Sequence, residues 1–217
     1  MLPIAFPTSR HSPRRLLFLG AHSDDIEIGC GGTILRLLAE WKNLEVYWVV
    51  FGAQAQRADE AVKSAQLLLG DRTKKTIVAK GFRDGFFPYI GGEIKDAFED
   101  LKRAFEPNVI FTHYRHDLHQ DHRLICDLTW NTFRNHLILE YEIIKCDGDL
   151  GTPNLYVQLD RATCRKKVSH IRKCFKSQGH RAWFTEDTFY SLLRIRGVES
   201  HSPSRYAEAF YCRKLIL

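Results

Sequence analysis

Two short segments of this 217-residue sequence concentrate side chains that can bind a metal ion or move a proton. Residues 20–25 read GAHSDD, and residues 113–122 read HYRHDLHQDH, with four of the chain's ten histidines. Imidazole and carboxylate groups are suitable ligands for a divalent ion such as Zn²⁺. A catalytic zinc keeps three protein ligands and one position for water, whose pKa falls to about 7. These residue types predict metal-assisted hydrolysis.

The spacing within each segment divides the chemistry between neighbouring side chains. Asp24 and Asp25 are consecutive, so their side chains diverge, and one can bind the ion while the other accepts a proton from water. His119 and His122 lie three residues apart, so one turn presents both imidazoles, one as ligand and the other as acid or oxyanion-stabilising group. Asp121 lies between them and can orient an imidazole. The spacing leaves open which member of each pair takes which role.

The two segments each follow a predicted strand of an alternating β-α pattern. Strands are predicted over residues 14–21, 45–52, 76–80, 109–113 and 137–144, and helices over 27–41, 59–69, 93–105 and 119–133. Near-continuous apolar strands separated by amphipathic helices are typical of a parallel sheet covered on both faces. We therefore predict an α/β, Rossmann-like fold with a mostly parallel sheet of order 3-2-1-4-5. A C-terminal elaboration adds strands over 154–159 and 208–214 and helices over 161–177 and 185–196.

This strand order brings the two segments together. In an open α/β sheet, ligands bind beyond the carboxyl ends of the strands where the strand order reverses, and strands one and four are neighbours there. The two segments, about ninety residues apart, are therefore expected at one crevice. Taken singly, the first could be a helix-capping turn and the second a solvated loop. Their joint placement favours a two-part site.

Composition describes an ordinary globular chain. Hydrophobic residues make up 44% and charged residues 27%, which excludes disorder, collagen and coiled coil for most of the chain. We expect one domain over residues 14–217, preceded by an arm over residues 1–13. No apolar run is long enough for a membrane span or a signal-peptide core. Six scattered cysteines without a C-x-x-C pair predict reduced thiols and a cytoplasmic protein.

Several other features have a structural and a functional interpretation. Part of the net charge of +6 lies on one face of the predicted helix over 161–177, which carries Arg161, Arg165, Arg172 and Lys176. We interpret this face as solvated, with attraction of an anionic substrate as the alternative; no nucleic-acid recognition motif accompanies it. The glycine-rich residues 29–32 favour close helix packing over a phosphate-binding turn. The aromatic residues 82–89 favour local packing over a sugar platform, and His201 is expected at the surface.

The sequences AHSDD (21–25), GCGGTI (29–34) and HDLHQDH (116–122) resemble the zinc-dependent LmbE-like de-N-acetylases of the PIG-L superfamily. Supporting similarities lie at residues 57–60, 81–85, 177–178 and 206–210, so the resemblance spans roughly residues 14–212. It implies an enzyme that hydrolyses the N-acetyl group of an N-acetylglucosamine moiety. The implied cofactor is Zn²⁺, or another divalent transition metal. The implied partner is a small amino-sugar molecule or its anionic conjugate, with no nucleic acid and no membrane span, and a homo-oligomer is left open.

The resemblance also implies a role for each site residue. The zinc ligands that it implies are His22, Asp25 and His122. Its catalytic residues would be Asp24 as the base that activates water, His119 as the acid or carbonyl-polarising group, and Asp121 as the residue orienting His119. Arg57 falls where the family often places an arginine near the substrate.

Two positions depart from the family pattern, which has Pro at position 23 and Glu at position 26. Ser23 removes a rigid φ before the aspartates, and Ile26 removes a carboxylate outside the ligand set; Glu27 follows it. We expect these changes to affect support of the site or specificity, since every ligand is kept. A metal-free nucleotide or nucleotide-sugar binding module that uses the same crevice is the alternative function.

Overall fold

The computed structural model describes residues 14–216, so the arm expected over residues 1–13 lies outside the described part. The strands are β1 (Arg14–His22), β2 (Leu44–Gly52), β3 (Lys74–Ala79), β4 (Val109–His113), β5 (Leu137–Tyr141), β6 (Leu155–Gln158) and β7 (Ala207–Cys212). The α-helices are α1 (Asp25–Glu40), α2 (Gln56–Leu69), α3 (Gly91–Ala104), α4 (Gln120–Thr132), α5 (Arg161–Cys174) and α6 (Glu186–Glu199). Short 3-10 helices cover Phe87–Ile90 and Lys176–Gln178.

All seven strands form one sheet in the order β3-β2-β1-β4-β5-β7-β6. Strands β1 to β5 pair parallel with one another, and β7 pairs antiparallel with both β5 and β6. The predicted α/β class and the 3-2-1-4-5 order are thus confirmed, and the C-terminal elaboration extends the same sheet. Strands β1 and β4 are neighbours, with Leu16 opposite Val109, so the loops after them open at the same edge.

The central strand β1 divides the core into two layers because successive side chains point to opposite faces. Leu16 and Phe18 belong to the larger cluster, which also includes residues of α1, α2, α5 and α6. Leu17 and Leu19 belong to the second, which includes residues of α3 and α4. A strand buried on both faces needs apolar residues at every position, and this explains the continuous run that predicted it.

Two predicted elements, the fifth strand and the fifth helix, end three residues earlier in the structure than predicted. The fifth strand was expected to run to residue 144 but ends at Tyr141, because Glu142 turns inward to form a buried ion pair with Arg196 at 2.8 Å. The fifth helix was expected to run to residue 177 but ends at Cys174, before the 3-10 turn at Lys176–Gln178. Long-range contacts decide where the strand ends.

Helix α1 is interrupted at Cys30, whose φ of −141° and ψ of 17° are not helical. The interruption frees backbone groups that two buried side chains from the C-terminal region satisfy. Lys167 Nζ donates to the Ile28 carbonyl at 2.6 Å, and Glu208 Oε1 accepts from the Gly32 N–H at 2.8 Å. Because Lys167 and Glu208 also form an ion pair, neither charge is buried alone. The C-terminal elaboration therefore holds the first turns of α1 in place.

The glycines of residues 29–32 let other elements approach α1 closely. A Cβ at Gly29 would overlap the ring of Tyr141, and a Cβ at Gly32 would overlap the side chain of Leu159. The structure thus gives these two glycines a close-packing role. None of the helices in residues 14–216 has the length and apolar character needed to cross a membrane.

This packing predicts different effects of alanine at two neighbouring glycines. Gly29→Ala should lower the free energy of unfolding by roughly 1–3 kcal/mol, because the methyl group displaces the Tyr141 ring. Gly31→Ala is the matched control, since its Cβ would lie 3.5 Å from Lys167, an ordinary contact. Urea unfolding of both variants with a chelator present measures the difference. Equal stability of the two variants would contradict the packing role.

Candidate metal centre

The two polar segments meet beyond the carboxyl ends of β1 and β4, as their strand order predicts. His22 ends β1, and His122 lies in the first turn of α4. The Nδ1 atom of His22 lies 3.1 Å from the Nε2 atom of His122. The Oδ2 atom of Asp25 lies 3.5 Å from each of these nitrogens. All three side chains are buried, with 2–6% of each residue exposed.

These three distances are those of one coordination shell. Ligand atoms bound about 2.0–2.2 Å from a tetrahedral ion lie roughly 3.3–3.6 Å apart. The outer nitrogen of each ring already has a carboxylate partner: His122 Nδ1 bonds to Asp117 at 2.9 Å, and His22 Nε2 bonds to Asp121 at 3.2 Å. Burial lowers the pKa of His22, but the hydrogen bonds to Asp121 and Asp25 outweigh it and raise that pKa well above its usual range, so the cluster favours a positive charge. When both rings are neutral, their inner nitrogens carry lone pairs and face the Asp25 carboxylate. A divalent ion bound between them would take the place of that proton as the positive charge, so these residues fit a metal ion.

Three other groups of described residues bring possible ligand atoms within 4.8 Å of one another. They are His22, His119 and His122; Asp25, His113 and His122; and His22, Asp84 and Asp121. In the second group, His113 Nε2 already accepts the Ala21 N–H at 2.9 Å. In the first, His119 Nδ1 accepts the Asp121 N–H at 3.2 Å. These commitments disfavour the first two groups, and the carboxylates of the third contact the outer nitrogen of His22, Nε2. The candidate set is therefore His22, Asp25 and His122.

Asp24 lies beside the ligand set with one oxygen uncommitted. It is the N-cap residue of α1, but its side chain makes no capping hydrogen bond. It is 4% exposed, and its Oδ2 atom has no hydrogen-bond partner among the described residues. Burial and the neighbouring charge of Asp25 raise the pKa of Asp24 to about 6. A buried carboxylate with a free oxygen is the group that general-base chemistry needs.

His119 is the N-cap residue of α4, and it is less buried than the rings of His22 and His122. Its ring stacks on that of His122, with centroids 4.6 Å apart, and meets the edge of the His22 ring at 4.8 Å. Because Nδ1 accepts from the backbone of Asp121, a neutral ring carries its proton on Nε2. Burial and the charge of His22 lower the pKa of His119. The ring thus borders the centre with a donor nitrogen.

The carboxylate of Asp121 contacts residues other than the one expected. The resemblance implies that it orients His119, yet its Oδ2 atom contacts His22 Nε2 and accepts the Gly85 N–H at 2.6 Å. Its Oδ1 atom accepts the Phe87 N–H at 3.1 Å. The hydrogen bond between Asp121 and His119 involves the Asp121 backbone. In this structure the carboxylate therefore orients His22 and the loop that carries Gly85.

Arg57 lies at the edge of the centre. Its Nη1 atom bonds to Asp84 at 2.8 Å, and its Nη2 atom lies 3.7 Å from Asp24 Oδ1. Asp84 Oδ1 in turn lies 3.0 Å from His22 Nε2. The hydrogen bond from His22 is the largest influence on the pKa of Asp84. Together with the charges of His22 and Arg57, it outweighs burial and holds that pKa well below its usual range.

Sequence reasoning missed three residues of this cluster: Asp84, His113 and Asp117. His113 and Asp117 belong to the second polar segment, so their types alone were a signal. His113 is buried, stacks on His122 with centroids 3.9 Å apart and lies 3.2 Å from Asp25. Burial raises the pKa of Asp117, but the hydrogen bond to His122 and nearby positive charges outweigh it and hold the pKa below its usual range.

The remaining sequence expectations concern surface features. Arg161, Arg165, Arg172 and Lys176 are exposed, as expected for a solvated face, and His201 is exposed. In the aromatic segment, Phe87 is fully buried and contacts Phe82, whereas Tyr89 is 76% exposed. Local packing therefore accounts for part of that segment only.

The PIG-L family, described as GlcNAc-PI de-N-acetylase, matches residues 17–133, which is more than half of the chain. All the predicted site residues lie inside this range.

Solved structures with the same fold come from several organisms. A conserved protein from Thermus thermophilus is 21% identical, covering 93% of this chain and 96% of its own, with a TM-score of 0.70. N,N'-diacetylchitobiose deacetylase from Pyrococcus horikoshii is 20% identical, covering 91% and 82%, with a TM-score of 0.67. The 4-carboxy-2-hydroxymuconate hydratase from Pseudomonas putida is 17% identical, covering 94% and 98%, with a TM-score of 0.68. At these identities the likeness concerns the fold, which hosts both deacetylases and a hydratase.

The ligand geometry predicts how metal content responds to two histidine substitutions. After reconstitution with Zn²⁺, the protein should retain about one equivalent, and His122→Ala should lose most of it because one of three ligands is gone. His116→Ala is the control, since His116 is exposed in the same segment. Elemental analysis after gel filtration provides the measurement. Normal zinc content in His122→Ala would refute its role as a ligand.

Proposed function

The chain belongs to the PIG-L family of de-N-acetylases, and from that premise we propose that it is a zinc-dependent hydrolase. Its reaction would remove the N-acetyl group from an N-acetylglucosamine-type sugar or sugar conjugate and release acetate and a free amine. The observation that carries this proposal is the convergence of His22 Nδ1, His122 Nε2 and Asp25 Oδ2 at 3.1–3.5 Å beside the uncommitted Asp24.

The proposed metal ligands are His22, Asp25 and His122. A zinc ion held by two imidazoles and one carboxylate supplies Lewis-acid chemistry and lowers the pKa of water in its open position. The protein's part is to orient the ligands through hydrogen bonds to their outer atoms, and such partners are typical of catalytic metal sites. Asp117 does this for His122, and Asp121 does it for His22.

Asp24 and His119 would carry the proton transfers of amide hydrolysis. Water adds to the amide carbon as Asp24 Oδ2 accepts its proton. The carbon–nitrogen bond breaks as the nitrogen gains a proton from the imidazolium form of His119, and the proton held by Asp24 then restores that form. A donor at Nε2 of His119 would also stabilise negative charge on the carbonyl oxygen. Positioned groups of this kind each contribute roughly 10²–10⁴-fold to the rate.

Arg57 and Asp84 would form the sugar-facing side of the site. Arg57 is about a quarter exposed and Asp84 about half exposed, so both can still bond to hydroxyl groups of a substrate. Together they present donors and an acceptor, as a polyhydroxylated ring requires. An anionic group on the substrate would be attracted by Arg57 but repelled by the Asp84 carboxylate beside it.

The alternative of a metal-free nucleotide module is disfavoured by the charge of the crevice. Asp24, Asp25, Asp117 and Asp121 are all buried there, and carboxylates repel the phosphates that such a module must bind.

We further propose that residues 14–217 form one catalytic domain. Six free cysteines support a reducing compartment such as the cytoplasm.

Replacement of the proposed base separates catalysis from metal binding. Asp24→Asn should lower kcat/KM by roughly 10²–10⁴-fold, because the amide cannot accept the proton, and should leave zinc content unchanged. Asp59→Asn, on the exposed face of α2, is the control. Steady-state assays and elemental analysis of the same preparations test both parts. Near wild-type turnover in Asp24→Asn would show that another group is the base.

A panel of acetylated sugars tests the substrate class. Zinc-loaded protein should release primary amine from one or more N-acetylglucosaminyl compounds, whether free, lipid-linked, nucleotide-linked or glycosidic. Omission of zinc from chelator-treated protein should abolish release. Fluorescamine detection of the amine gives the readout. Less than a few tenths of an equivalent of bound metal, with no amine release on adding zinc, would overturn the proposed function.

A further inference from the structure

Lys145 lies beyond the end of β5, outside both polar segments, but its side chain reaches the metal centre. Its Nζ atom lies 3.0 Å from Asp117 Oδ1, and 9% of the side chain is exposed. Asp149 is its second close partner, and the more exposed Asp147 lies 3.6 Å away. Lysine is seldom buried to this degree unless it is paired, so its place depends on the carboxylates around it.

Asp117 connects this lysine to both imidazoles of the α4 motif. Its Oδ2 atom bonds to His122 Nδ1 at 2.9 Å, and its Oδ1 atom accepts the His119 backbone N–H at 2.8 Å. Asp117 is 2% exposed. One buried carboxylate thus holds a ligand ring by one oxygen and the backbone of the proposed acid by the other.

Lys145 supplies the ammonium group that balances this carboxylate. A second cation, Arg123, bonds to the Asp117 backbone oxygen at 3.0 Å. A buried carboxylate left without a cation is destabilised and tends to move towards solvent. Movement of Asp117 would release the orientation of the His122 ring.

Asp149 completes the connection between two loops. Its Oδ2 atom accepts the Leu118 N–H at 2.6 Å and also contacts Lys145. Lys145 therefore ties the segment that precedes α4 to the loop that follows β5. That loop is itself anchored, because Gly151 N–H donates to the buried Glu142 at 3.0 Å. Lys145 is thus held by Asp149 in the anchored loop, and its ammonium group pairs with the Asp117 carboxylate.

We propose that Lys145 is a positioning residue of the metal centre, acting through Asp117 on His122 and His119. This inference rests on the proposed function, since it concerns the same metal site. It assigns Lys145 no contact with substrate. It makes metal affinity depend on a residue four positions beyond β5, outside the range that the PIG-L family matches.

The experiment compares metal affinity in chelator-treated, full-length protein. The variants are Lys145→Met, Lys145→Arg, Asp117→Asn and the double variant Lys145→Met/Asp117→Asn. Asp147→Asn is the matched control, because it removes a carboxylate near Lys145 that is not among the contacts of Asp117. The dissociation constant for Co²⁺ is measured by competition with a chromophoric chelator, and the visible Co²⁺ spectrum reports ligand geometry. Thermal unfolding of the metal-free proteins checks folding.

Asp117→Asn should weaken Co²⁺ binding roughly 10–100-fold, the usual effect of losing a partner of a metal ligand. Lys145→Met should weaken it at least about 5-fold and change the spectrum, and Lys145→Arg should restore most of both. Because Lys145 acts through Asp117, the double variant should bind about as weakly as Asp117→Asn alone. Asp147→Asn should bind like the wild type.

The outcomes separate this inference from the proposed function. A wild-type protein that binds no metal would overturn both. Strong Co²⁺ binding by wild type together with an unchanged constant and spectrum in Lys145→Met would overturn the role of Lys145 alone. If the double variant weakens Co²⁺ binding by the product of the two single effects, Lys145 acts independently of Asp117. That result would indicate a general structural role and would also overturn the proposal. If Lys145→Met does not fold, Lys145→Gln, which keeps an N–H donor without the charge, takes its place in every comparison.

Discussion

The concentration of buried carboxylates and imidazoles where β1 and β4 end is the constraint on which the rest of the structure depends. Three possible ligand atoms, from His22, Asp25 and His122, lie 3.1–3.5 Å from each other. Burial makes such a cluster unfavourable unless positive charge and hydrogen-bond donors surround it. The neighbouring cations supply this charge: Arg57 lies beside Asp24 at the edge of the cluster, and Lys145 pairs with Asp117.

The candidate site residues lie in the part of the chain that the family matches, and residues outside that part support them. Residues 17–133 contain all the candidate ligands and proton-transfer groups. Beyond them, Lys167 and Glu208 satisfy the backbone of α1 where Cys30 interrupts it, and α1 begins at Asp25. The C-terminal elaboration is therefore a support for the site as well as an extension of the sheet. A hydratase shares this fold, so the side chains at the sheet edge, and not the architecture, decide the chemistry.

Much of the fold could be predicted because its signals are local. Strands buried on both faces require continuous apolar runs, and β4 begins and ends at the predicted residues, Val109 and His113. The order of the first five strands follows from the β-α alternation and the rule for ligand crevices. Boundaries decided by distant partners could not be predicted: β5 ends where Glu142 turns to Arg196, which lies 54 residues away.

By itself, the sequence determined the types of chemistry available, the two segments that supply it and the sheet that brings them together. It also indicated that one aspartate of the first pair and one histidine of the second would bind the ion, without deciding which. Only the tertiary structure decided the partners: Asp121 contacts His22, Asp84 lies between His22 and Arg57, and Lys145 balances Asp117. These contacts join residues up to 99 positions apart. No local pattern encodes them, because they depend on which loops the strand order places side by side.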